Sequence, residues 1–234
     1  YFGPYASGKM MHTILELTQK LYPTRNCNLN LNAKTIAAGN FKVCLEYQIG
    51  NCKGPCQGLQ SEESYKQTIA NIKHILRGNL AEVKRHIKTQ IEDAVARLAF
   101  EEAHEYKEKL ISLESYQSKS TVVNNSISNV DVFGIISSSS SAFINYLRVV
   151  DGMIIQSQNL EIKKKIDESD EEILLNAIAQ FKNSNQWESK EFIVPIQLEI
   201  ESEIPMTVPI SGDKKKLLDL SMKNAFYLKQ ERQL

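Results

Sequence analysis

The sequence predicts an α+β protein in which a cysteine-rich loop region and an antiparallel helical hairpin precede a mixed α/β domain. Three observations carry this. All four cysteines, Cys27, Cys44, Cys52 and Cys56, fall in one short stretch. Apolar residues then recur at spacings of three and four up to Leu113. From Asp131 the texture changes to short β-rich runs separated by turn signals.

Tyr1-Phe2-Gly3-Pro4-Tyr5 reads as the last strand and turn of a preceding domain, and a first residue other than Met marks the chain as an excised fragment. Met11, Ile14, Leu15 and Leu17 predict a helix from Ser7 to Leu21, ended by Pro23. Residues 1–25 are therefore a domain tail with a linker helix. Residues 26–60 carry Asn, Gly and Cys with little periodicity, which suggests a loop-rich unit needing a staple.

Ser61 is a natural N-cap, with Glu62 and Glu63 placed where a helix dipole favours anions. Tyr65, Ile69, Ile72 and Leu76 predict one helix face, and Arg77-Gly78-Asn79 breaks it. Leu80, Val83, Ile87, Ile91, Ala94 and Leu98 make the next stripe. After a discontinuity near Phe100, Ala103, Tyr106, Leu110 and Leu113 make another. Narrow stripes joined by a short break predict an antiparallel hairpin within residues 61–116.

Residues 117–129 are polar and aperiodic and read as a linker. Residues 130–234 form the α/β part. Strands are predicted over Asp131–Ile136, Ala142–Val150 and Met153–Ile162, the last two joined by an Asp151-Gly152 hairpin turn. Ser169 and Glu172 form a capping box for a helix through Phe181. Strands over Phe192–Leu198 and Met206–Ile210 and a helix over Leu217–Leu228 complete the domain.

Lys+Arg and Asp+Glu both number 28, so the whole chain carries no basic footprint for nucleic acid. No apolar run approaches the roughly 20 residues that span a bilayer, and no signal segment is visible. His12, His74, His86 and His104 are dispersed, with no Ser/His/Asp arrangement and no glycine loop for phosphate. The triplets Lys163-Lys164-Lys165 and Lys214-Lys215-Lys216 are either phosphate contacts or, as such runs more often are, solvated element ends.

The cysteine spacing is C-x16-C-x7-C-x3-C. Four thiolates from one loop can hold zinc or an iron–sulfur cluster. Structural zinc usually shows paired C-x2-4-C knuckles, and only the last pair here comes near that. Irregular spacing with Pro55 beside Cys56 suits a cluster better. A disulfide or unligated thiols are the alternatives, the first disfavoured in a reducing cytosol.

Three motifs resemble the UvrC family of excinucleases. Tyr1-Phe2-Gly3-Pro4-Tyr5 resembles the end of its GIY-YIG nuclease domain. The run from Cys44 to Cys56 resembles its segment C-L-x-Y-Q-I-G-x-C-x-x-P-C. Ala94, Leu98, Phe100, Glu101, Ala103, Leu110 and Leu113 resemble the UVR hairpin that docks on the UvrB protein, with Val95, His104, Lys107 and Glu108 departing from its pattern. Gly212-Asp213-Lys214 and Asn224-Ala225 resemble the segment before the C-terminal nuclease.

The resemblance implies a cytoplasmic, DNA-repair and SOS-response setting. Cuts on both sides of a lesion in damaged DNA come from two nuclease domains outside this chain. From the residues, the order of three strands, a helix and further strands is compatible with an RNase H-like fold, read as a degenerate module. The cysteine spacing is read as a 4Fe–4S cluster on Cys27, Cys44, Cys52 and Cys56, with zinc as the alternative. The implied partner is UvrB, met by Leu98, Phe100, Glu101, Ala103, Lys107 and Leu110; no membrane and no small-molecule substrate is implied. From the residues alone, Phe100 at the helix break either projects into a partner's pocket or folds back onto Leu98 and Ala103.

An RNase H-type nuclease needs carboxylates converging on two Mg²⁺ ions. Asp131, Glu171 or Glu172, and Glu199 or Glu201 are the candidates. Asp131 stands at the front of its strand, Asp167–Glu172 reads as helix N-terminal charge, and Glu199–Glu203 as an exposed acidic loop. No catalytic residue is therefore expected. Residual metal-dependent nuclease activity, or a zinc-stabilised interaction module unrelated to repair, are the alternatives.

Overall fold

The computed structural model describes residues 2–5, 7–120, 122–124, 127–165, 168–184, 189–199 and 202–233. Tyr1, Asp167 and Glu201, named above, lie outside the described residues. The chain divides into two compact units, Lys9–Lys119 and Ser120–Leu234, the second including the chain start up to Gly8.

In the first unit, α1 (Gly8–Leu21) buries Ile14, Leu17, Thr18 and Leu21. Met11 and Leu15, expected on that face, are exposed. The aperiodic cysteine region holds three short elements that its sequence does not announce: α2 (Ala33–Ala37), α3 (Leu45–Gln48) and a 3₁₀ turn (Pro55–Gln57). Helices of four or five residues complete barely one turn and show no periodicity. The capping pair Asn32 and Thr35, bonded reciprocally at 3.0 and 2.9 Å, is the local signal for α2. Gly54 and Gly58, at φ +68° and +71°, bracket the 3₁₀ turn.

Ser61 caps α4 (Glu62–Leu76), its Oγ accepting the Ser64 N–H at 3.1 Å. Gly78, at φ +81°, ends the turn that follows. The most buried stripe of α4 is Thr68, Asn71 and Ile75, one position round from the predicted face, whose members are half-buried. Hydrophobic periodicity could not find a stripe that is two-thirds polar.

Helix α5 (Leu80–Ala96) buries the predicted Leu80, Val83, Ile87 and Ala94, and α6 (Phe100–Ser120) buries Ala103, Leu113 and Tyr116. Lys84, near the start of α5, donates to the Gln117 carbonyl oxygen near the end of α6. Only antiparallel helices bring those two residues together. The hairpin is thus present, and α6 runs four residues past Tyr116.

The second unit is a five-stranded sheet of order β3-β2-β1-β4-β5, built from β1 (Val130–Ser137), β2 (Ser141–Val150), β3 (Met153–Lys163), β4 (Glu191–Ile193) and β5 (Met206–Thr207). β1, β2 and β3 are antiparallel, whereas β1–β4 and β4–β5 are parallel. Asp151 (φ +48°) and Gly152 (φ +75°) make the left-handed turn between β2 and β3 that their sequence predicts.

Alternation along the strands gives the sheet two apolar faces. Phe133, Ile135, Ile144 and Tyr146 pack with Ile173, Leu174, Ala177 and Phe181 of α7 (Asp170–Ser184). Val130, Val132, Leu147 and Val149 pack with Leu217 and Leu218 of α8 (Gly212–Gln233). The capping box of α7 is reciprocal: Ser169 N–H to Glu172 at 3.0 Å, Glu172 N–H to Ser169 Oγ at 3.2 Å.

Several expectations change. Val123 and Ile127, in the stretch read as linker, are buried in the core under α8, and both Val122 and Val123 donate to the Gly152 carbonyl. β4 stops at Ile193 because Pro195 has no N–H to continue the ladder. β5 is two residues long, and Ile210, predicted within it, is 92% exposed. Phe2–Tyr5 form no strand; Pro4 instead accepts the Ser157 N–H of β3 at 3.2 Å.

Candidate functional site

The break between α5 and α6 is made by Leu98, a non-glycine residue at φ +58°. That left-handed conformation reverses the chain within three residues and leaves the tip bare. Leu98 is 73% and Phe100 64% exposed, and Val95 is exposed as well. Phe100 therefore does not fold back into the core, and Ala103 is the first residue of α6 to be buried. Glu101 and Lys107 are exposed and Leu110 is half-buried. Leu98, Phe100 and Glu101 thus share the tip, while Ala103 and Leu110 face inward. Val95, near the end of α5, is among these exposed residues, and sequence reasoning did not single it out as a contact residue.

Cys44 is exposed at the N-cap of α3, Cys27 is half-buried, and Cys52 and Cys56 are buried on either side of Gly54-Pro55. All four are free thiols. The Gly54 N–H points at Cys52 Sγ from 3.5 Å, a donor suited to a thiolate. Among the described residues, no three His, Cys, Asp or Glu side chains are gathered for a metal ion. The donor chemistry suits iron–sulfur or zinc, but the present geometry does not assemble such a site.

The carboxylates considered for nuclease chemistry are dispersed among other tasks. Asp131 is buried within β1, where it accepts hydrogen bonds from Tyr146 Oη at 3.0 Å and from Ser189 Oγ. Burial raises its pKa to about 6, against the lowering effect of those two hydrogen bonds. Glu172 is occupied by its capping box, and Glu171 and Glu199 are exposed. Of the lysine triplets, Lys164 pairs with Asp170 at 3.0 Å and Lys214 with Glu191 at 2.6 Å. Lys215 pairs with Asp219 and Lys216 with Asp213. These are chiefly ion-paired element ends.

Residues 1–75 match the family described as UvrC/Cho excinuclease, middle domain, and residues 129–232 match the UvrC Ribonuclease H-like domain. The RNase H-like nature of the α/β unit is thereby established. The chain is 50% identical over 231 residues to the UvrABC system protein C of Flavobacterium johnsoniae, covering 99% of the chain and 39% of that protein. It is 47% identical over 234 residues to the UvrABC system protein C of Bacteroides fragilis, covering 99% and 38%. The chain thus spans about 39% of the length of the curated relatives it matches. No solved structure matches it. No helix among the described residues is long and apolar enough to cross a membrane. With both matched domains drawn from one protein family and together covering most of its length, the chain belongs to the UvrC family.

Proposed function

We propose that the chain is the central, non-catalytic part of the incision component of a cytoplasmic nucleotide excision repair nuclease. Its α5–α6 hairpin binds UvrB, and its RNase H-like unit scaffolds the nuclease domains that cut damaged DNA on both sides of a lesion. The observation that carries the proposal is the bare apolar tip, with Leu98 73% and Phe100 64% exposed. Burying a Leu or Phe side chain in a partner's pocket is worth about 1.5–3 kcal/mol, enough for a hot spot. Glu101 and Lys107 lie at the rim, where exposed charges add little. The test is Phe100→Ala: binding to UvrB is lost while the helical circular dichroism signal stays. Unchanged binding would remove the proposal.

Support for a scaffolding role comes from the tasks that already occupy Asp131 and Glu172. Mg²⁺- or Mn²⁺-dependent nicking of DNA by this chain, abolished in Asp131→Asn, would overturn it.

Cys27, Cys44, Cys52 and Cys56 are further proposed to hold a 4Fe–4S cluster, with zinc as the alternative. The support is the donor set itself and the amide aimed at Cys52 Sγ. Ligation requires the four cysteines of residues 26–60 to converge. Iron and zinc content with a visible spectrum of anaerobic protein, wild type against Cys52→Ser, decides between the metals; neither metal in the wild type rejects the site.

A further inference from the structure

The helical unit contains a cavity of about 260 Å³ lined by α1, α4, α5, α6 and the cysteine loop. Its wall is polar where a helical core is ordinarily apolar. Asn71 is 4% exposed and accepts a hydrogen bond from Gln67 at 3.2 Å. Tyr22, at the chain turn after α1, places its hydroxyl beside Asn71, fully shielded from solvent and without a hydrogen bond of normal geometry. Burial pushes that hydroxyl's pKa up to about 12, so it stays a proton donor at all physiological pH values.

Two lysines line the same space, one half-buried and one exposed. Lys109 comes from α6, is half-buried and lies over the Tyr106 ring at 5.2 Å; Lys53 comes from the cysteine loop, between Cys52 and Gly54. Burial, and then the Lys53 charge, hold the Lys109 pKa below its ordinary value, with Glu105 offsetting part of this. Among the described residues neither lysine forms an ion pair. Like charges brought together cost free energy unless a shared anion neutralises them. His86 on the same wall adds a further nitrogen.

We propose that this cavity is a binding site for a phosphate group, held between Lys53 and Lys109. The volume falls below the roughly 300–1,000 Å³ of sites for drug-sized ligands. It therefore suits one phosphate, either free or at the end of a nucleic acid strand. Charge-assisted hydrogen bonds from two ammoniums supply the affinity, and the neutral wall of Asn71 and Gln67 orients the remaining oxygens.

The test titrates inorganic phosphate, against chloride at equal ionic strength, into the intact chain. The His86 ring resonances and the thermal midpoint are followed together. Phosphate is expected to shift both saturably, whereas chloride does neither. Lys53→Gln and Lys109→Gln each weaken the response about tenfold with the fold intact by circular dichroism. A phosphate response equal to that of chloride, or one unchanged in the Lys53→Gln, Lys109→Gln double variant, overturns the site. A short oligonucleotide with and without a 5′-phosphate separates the two sources. Competition by the phosphorylated strand alone identifies a strand end, and competition by neither identifies free phosphate.

Discussion

Tyr146 Oη donates a 3.0 Å hydrogen bond to the Asp131 carboxylate in the interior of the RNase H-like unit, across the β1–β2 pair. Ser189 donates to the other carboxylate oxygen. Two donors do not fully replace the water lost on burial, so the Asp131 pKa rises from 3.8 to about 6. A carboxyl whose folded pKa is raised favours folding when protonated. Its contribution is fully present below about pH 3.8 and is lost as pH rises through about 6. The change is on the order of 3 kcal/mol. Asp131→Asn keeps an acceptor for Tyr146 without the charge. It is expected to flatten the stability profile between pH 4 and 6 and to raise stability at pH 7, as measured by urea denaturation.

Glu191 should show the opposite slope. Partial burial works to raise its pKa, but hydrogen bonds from Lys214 and Thr207 and the Lys214 charge outweigh it, and the net shift is downward. Stability from this group is present above its unfolded pKa and lost as pH falls through the folded one. Lys214→Met should therefore lower stability at pH 7 by about 1 kcal/mol and by less in acid. Equal losses at both pH values would show that Lys214 matters for packing rather than charge.

At Gly134, β1 lies directly against the backbone of α8. A Cβ there would lie 2.6 Å from the Met222 nitrogen and from the Ser221 carbonyl carbon, both backbone atoms that cannot swing aside. The helix is also held by Ser221 Oγ, which donates to the Asn145 carbonyl at 2.7 Å. Gly134→Ala must push helix from sheet, and the expected loss is about 1–3 kcal/mol or more. A neutral result in chemical denaturation would mean that α8 slides freely on the sheet.

Leu98 separates folding from the proposed docking. Its left-handed backbone costs roughly 1–2 kcal/mol in an L-residue with a side chain, so Leu98→Gly is expected to leave the thermal midpoint unchanged or higher. The same change removes the most exposed apolar side chain of the tip and should weaken binding to UvrB. Calorimetry of the free chain and titration with UvrB check the two halves independently.

Much of this architecture is legible in the sequence wherever local chemistry acts alone. Ser61, the Ser169–Glu172 pair and Asp151-Gly152 each fix a boundary through hydrogen bonds or φ angles within four residues. The stripe of α5 is legible because its core face is apolar throughout. What escaped has a physical cause in each case. The buried face of α4 is Thr68, Asn71 and Ile75, so hydrophobicity pointed to its flank. α2 and α3 are too short to show a period. Pro195 cut β4 short although its neighbours have strand character. The tip residues were visible as a motif, but their exposure depends on the left-handed Leu98, which no pattern of apolar residues announces. The approach of Lys53 to Lys109 joins positions far apart in the chain and is visible only in three dimensions.

The Lys84–Gln117 hydrogen bond closes the open end of the hairpin, where Leu80, Val83, Leu113 and Tyr116 are also buried. Mechanically the hairpin is a cantilever, clamped at its root and unloaded at its free end. A protein that seizes the free end meets helices already ordered, so little conformational entropy is lost on association. Substitutions at Val95, Leu98 or Phe100 should then leave the rate of encounter nearly constant and act on the lifetime of the complex. Loosening the clamp, for example with Gln117→Ala, should slow productive encounter even though no residue of the contact surface has changed.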